Sequence, residues 1–132
     1  MITAVDTNVL LDVFLPDEAF VDQSSALLRR AYDEGALVIN HLVYSELVPQ
    51  FTHRTELDNA LARLSVRIVP LDDEVAYLAG TKWLEYRRAG GSRERIMSDF
   101  LIGAHAQLRA DRFLTRDRGF YKSYFPELSR MS

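Results

Sequence analysis

Short apolar runs rich in β-branched residues alternate along the chain with longer stretches of helical spacing. Ile2–Val5, Ala36–Ile39, residues 66–70 and residues 112–115 read as strands. Between them, residues 9–15, 20–32, 42–51, 57–64, 72–89 and 98–110 carry apolar positions at the three- and four-residue intervals of amphipathic helices. The punctuation agrees. Asp6-Thr7-Asn8 offers cap chemistry to the first helix, Pro16-Asp17 breaks it, Gly35 closes the second, and Gly90-Gly91 stops the long one that Asp72-Asp73-Glu74 opens. Ser98 stands where a cap is expected for the next helix. Residues 121–132 are the least legible, because Pro126 interrupts them and leaves room for a stunted fifth strand or none.

Strands alternating with helices imply right-handed crossovers and a parallel sheet covered on both faces. The expected fold class is therefore α/β, three layers, with a central parallel sheet of four or five strands. A length of 132 residues fits one domain, 1–132. No window is apolar enough for a membrane span and the first residues lack a basic leader, so a cytoplasmic protein is expected, with no membrane partner. Cysteine is absent, which removes disulfides and thiolate metal sites from consideration.

The first helix is unusual in being apolar nearly all round, with Asp12 almost its sole polar member among Val9, Leu10, Leu11, Val13, Phe14 and Leu15. One face covers the sheet. The rest lies under neighbouring helices or awaits a partner. Trp83 with Ala79 and Tyr86 forms a second stripe, read as core or dimer surface.

Net charge is −3, so nothing in the overall balance holds a polyanion. Any such contact is local, and Arg93, Arg95, Arg116 and Arg118 cluster late in the chain as candidates for a substrate-facing rim. Four acids complete the candidate chemistry. Asp6 ends the first strand, Asp117 follows the fourth, and Glu46 and Asp99 lie on helical stretches between them. Singly, each has an ordinary role as a cap or turn residue. Jointly, the two strand-end acids lie beyond strand carboxyl ends, where ligands bind an open parallel sheet, and they converge on one crevice if the first and fourth strands are neighbours. Carboxylates crowded there repel one another unless a hard divalent cation relieves them. His41, His53 and His105 show no partner pattern and are read as helix-surface or core residues.

The strings Asp-Thr-Asn at 6–8, Ser-Glu-Leu-Val at 45–48, Ser-Asp-Phe-Leu-Ile-Gly-Ala-His-Ala at 98–106 and Leu-Thr-Arg-Asp-Arg-Gly-Phe at 114–120 together resemble the PIN-domain family, and within it the VapC toxins. The resemblance spans most of the chain; its force lies in the order of four short motifs. It implies a nuclease site with Asp6, Asp99, Asp117 and Glu46 as metal-holding residues and Thr7, Asn8 and Thr115 orienting them. It further implies one or two Mg²⁺ or Mn²⁺ ions, an RNA substrate, endoribonuclease activity, a cognate antitoxin and a homodimer. The alternatives are a housekeeping RNA-processing nuclease, a PIN domain that binds RNA or protein without cutting, and a haloacid-dehalogenase-like phosphatase. The last fits poorly, since it requires an acid where Asn8 stands.

Overall fold

The computed structural model describes residues 1–15, 18–93 and 95–131; the break expected at Pro16-Asp17 lies outside them. The chain runs β1 (Ile2–Val5), α1 (Thr7–Phe14), α2 (Val21–Glu34), β2 (Ala36–Ile39), α3 (His41–Leu47), a 3₁₀ turn (Val48–Gln50), α4 (Arg54–Arg63), β3 (Val66–Ile68), α5 (Asp73–Arg88), α6 (Met97–Arg109), β4 (Arg112–Leu114), α7 (Arg118–Tyr124) and β5 (Arg130–Met131). All strand pairs are parallel, in the order β3-β2-β1-β4-β5. Right-handed crossovers put α1 to α4 on one face and α5 to α7 on the other, giving the three-layer α/β/α fold. Strand order reverses between β1 and β4, where Val5 pairs with Leu114. Their carboxyl ends therefore share one crevice.

Local chemistry sets several of the boundaries. Asp6, Asn40 and Asp72 cap α1, α3 and α5, each side chain accepting from a first-turn N–H. Gly35, between α2 and β2, passes directly beneath the chain start; a Cβ there would lie 1.8 Å from the Met1 carbonyl oxygen. Ser98 does not cap α6. That helix begins at Met97 with Ile96 at the cap, and the Asp99 carboxylate reaches back to accept the Ile96 N–H at 3.1 Å. An acid at the third helical position satisfies that donor itself, so the cap residue need not be polar.

The tail holds more structure than its sequence suggests. Residues 118–124 form α7, and Pro126 follows its end. Aromatic packing builds it: Phe120, Tyr121 and Phe125 are buried against Phe100 and Phe113, with the Phe113 and Tyr121 rings edge-on at 4.8 Å. The chain then returns for β5, a two-residue fifth strand paired with β4. Tyr86 and Phe100 join the same cluster, which ties α5, α6 and α7 to the β4 side of the sheet. Ala79 and Tyr86 of the expected stripe are thus core residues, with Trp83 packed partly against them.

Helix α1 buries Val9 and Leu10 completely, half-buries Leu11, Val13 and Phe14, and leaves Leu15 46% exposed. Its one acid is buried. Asp12 accepts from the Ser24 hydroxyl at 2.6 Å and from two nitrogens of Arg116 at 2.8 and 3.1 Å.

Candidate active site

Asp6 leaves β1 still engaged in the ladder, its N–H donating to the Leu114 carbonyl at 2.9 Å. That bond fixes the side chain beside the end of β4. One carboxylate oxygen accepts the Thr7 N–H at 2.8 Å and the other accepts the Thr115 hydroxyl at 2.7 Å. The Thr115 oxygen in turn accepts the Asp117 N–H at 3.0 Å, so a single hydroxyl links the two strand-end acids. The Thr7 hydroxyl donates to Glu46 at 2.8 Å, bringing α3 to the same crevice. Thr7 and Thr115 thus hydrogen-bond the acids directly. The Asn8 side-chain oxygen instead accepts from the Arg116 N–H at 3.3 Å, tying α1 to the loop after β4.

Burial raises the Asp6 carboxyl to about 6, against the lowering effect of the Thr115 and Thr7 hydrogen bonds; the charges of Glu46 and Asp117 push it up further. Asp99 enters from the first turn of α6. Its charge is felt by two neighbours that also face Asp117, the Tyr121 phenol and the Arg95 guanidinium. Tyr121 is 2% exposed, and its hydroxyl donates to the Asp99 carbonyl at 3.4 Å. Burial holds this phenol well above its ordinary range, and the charges of Asp6, Asp99 and Asp117 add to the effect. Sequence reasoning missed Tyr121. It lies one helical turn beyond Asp117, a spacing that becomes informative only once α7 is recognised.

The expected arginine rim divides. Arg95 sits in the site, both guanidinium nitrogens on the Asp117 carboxylate and the plane 4.2 Å from the centre of the Phe120 ring. Arg116 pairs with buried Asp12 and stacks 4.0 Å over Phe20, so the pair fastens the β4 loop to α1 and α2 while the arginine stays exposed. Asp12→Ala is expected to lower stability by about 1–3 kcal/mol, since Ser24 and Arg116 both lose their acceptor. An unchanged urea midpoint would contradict that role. Arg93 and Arg118 are exposed. His105 is buried and its Nε2 pairs with the Val69 carbonyl at 2.8 Å, a core role.

The donor set fits a hard divalent cation, being entirely oxygen, with Asp6, Glu46 and Asp117 close enough to interact electrostatically. Among the described residues, however, no three acidic or histidine side chains form a ready-made metal cage. Threonine hydroxyls and Arg95 stand between the carboxylates instead.

A parallel α/β/α sheet with acids gathered at its β1/β4 switch point defines a class of protein, and the family comparison names it. The PIN domain model matches residues 3–126, and the chain belongs to that family. No curated protein matches it in sequence. Among solved structures it is similar to a chain of VapBC2 from Rickettsia felis, bound to a DNA fragment from its promoter, with TM-score 0.74 and 19% identity over 99% of this chain and 98% of that one. It is likewise similar to VapBC-1 from nontypeable Haemophilus influenzae, with TM-score 0.70 and 19% identity over 100% and 98%. FitAcB from Neisseria gonorrhoeae follows at 0.64 and 22%, over 100% and 97%. At these identities the likeness is one of fold.

Proposed function

We propose that this PIN-domain chain is a divalent-cation-dependent endoribonuclease and the toxin of a toxin–antitoxin pair. The observation that carries the reading is the linked set of acids at the switch point, Glu46–Thr7 and Asp6–Thr115–Asp117, with Asp99 entering from α6. Asp6, Asp99 and Asp117 are the residues to hold Mg²⁺ or Mn²⁺, as one ion or two. Such an ion supplies an acidified water and neutralises charge developing on the phosphate. Glu46 engages Thr7 through one oxygen, which leaves the other to orient the attacking water. Thr7 and Thr115 keep the carboxylates aimed. Arg93, Arg116 and Arg118, all exposed, are the candidates for contact with the RNA backbone.

The partner reading rests on α1. Leu15 is exposed at its end, and two adjoining clefts of about 450 and 470 Å³ open along the helix at Val13. Val13, Arg63 and Leu64 line both; Leu28 and Tyr32 extend one, Phe14 and Phe51 the other. An apolar helix of an antitoxin fits such a surface. The VapBC complexes of similar fold favour this choice over a housekeeping nuclease. We expect a cytoplasmic homodimer inhibited by that partner. Leu15→Lys is expected to weaken the complex by about tenfold or more, because it places a charge in a desolvated contact; calorimetry with the protein encoded beside it measures this. Undiminished affinity would remove α1 from the interface.

Incubation of purified protein with total RNA, with Mg²⁺ or Mn²⁺ and with chelator, tests the function. Mapped cuts confined to single-stranded RNA are expected with metal. Intact RNA under every condition would contradict the reading.

A further inference from the structure

Arg95 lies in the loop between α5 and α6, yet its guanidinium reaches the carboxyl end of the sheet. Both oxygens of Asp117 are engaged, Oδ1 at 3.1 Å from one terminal nitrogen and Oδ2 by the other. The Phe120 ring backs the guanidinium at 4.2 Å, and Asp99 adds its charge from α6. The side chain is 29% exposed and that of Asp117 35%, so the pair is open to exchange with solvent ions. The resulting arrangement is a monovalent cation seated on a carboxylate that the proposed function assigns to a divalent one.

We propose that Arg95 is the resident counter-cation of the metal-free site, and that a divalent ion displaces it from Asp117. The inference rests on the proposed function, since it concerns access to the same carboxylates. A cation drawing on Asp117 must share or take lone pairs that Arg95 now holds, and two positive groups on one carboxylate repel at close range. Phe120 gives the guanidinium a platform on which to remain once it has let go. Whenever no divalent ion is bound, Arg95 thus keeps the carboxylates from their full mutual repulsion and sets a threshold for metal loading.

Calorimetric titration of Mn²⁺ into metal-free wild type, Arg95→Ala, Arg95→Lys and Asp6→Asn tests the exchange. Arg95→Ala is expected to bind Mn²⁺ about three- to tenfold more tightly than wild type. Arg95→Lys keeps the charge and is expected to stay near wild type. Equal or weaker binding by Arg95→Ala overturns the proposal. A measurement on the unmodified chain stands beside it: the side-chain Nε–H signal of Arg95 in isotope-labelled protein is expected to shift as Mg²⁺ is added. A signal unmoved to saturation overturns the proposal as well. If Asp6→Asn loses Mn²⁺ binding while Arg95→Ala matches wild type, the nuclease reading stands and the exchange alone falls. If wild type itself binds no Mn²⁺, both fall.

Discussion

Asp6→Asn and Asp99→Asn are each expected to abolish metal-dependent RNA cleavage, lowering the rate by roughly a hundredfold or more. On the proposed function each substitution removes a negative ligand from a cation site, and loss of several kcal/mol of transition-state stabilisation has that consequence. Asp6 is the more telling of the two. An asparagine there keeps the oxygen that accepts the Thr7 N–H, so the helix cap survives while the charge is lost. Asp117→Asn is expected to be milder, because its amide oxygen still helps position water. Initial rates at saturating Mn²⁺ measure the series. Equal residual activity in all three would mean that the roles are wrongly assigned.

The same acid governs a large effect on stability. With its carboxyl at about 6 when folded and 3.8 when unfolded, Asp6 binds its proton more tightly in the native chain. The stabilisation from that proton is complete below the unfolded value and is lost as pH rises from about 4 through about 6. The shift corresponds to about 3 kcal/mol at neutral pH, a strain that the metal-free protein carries whenever Asp6 is ionised. Asp6→Asn is therefore expected to be no less stable than wild type at pH 7. The gain stays below the full strain, because an amide cannot accept the Thr115 hydroxyl as the carboxylate does. Divalent metal is expected to relieve the same strain from the other side. At ten times its dissociation constant it stabilises wild type by about 1.4 kcal/mol and Asp6→Asn by little. Thermal scans of both proteins at pH 5 and pH 7, with and without Mg²⁺, measure all of this. An equal metal response in the two would remove Asp6 from the site.

The sheet was legible because its signals are local. β1 and β2 coincide with their apolar runs, and the acids that cap α1 and α5 stand immediately before them. β3 and β4 are shorter than their runs, since a strand ends where its partner's ladder ends and the run does not reveal that. α7 was hidden because its helix is held by aromatic contacts with Phe100 on α6 and Phe113 on β4, which exist only once those elements have packed together. The grouping of Asp6, Glu46 and Asp117 could be anticipated from strand ends and motif order. What the sequence did not reveal was the machinery between them: Tyr121 beneath the acids, Arg95 on Asp117, and Arg116 paired with Asp12. Each depends on which loop folds back over the sheet, a tertiary choice that charge patterning does not encode.

Metal rescue of cleavage bears most directly on the central claim. A defined single-stranded RNA is incubated with purified wild type in Mn²⁺, then with excess chelator, then with Mn²⁺ restored, while Asp6→Asn is followed in parallel. Cutting is expected to stop with chelator and return with metal in wild type, with none at any stage in Asp6→Asn. Sustained wild-type cleavage in chelator, or rescue that proceeds equally in Asp6→Asn, would contradict that claim.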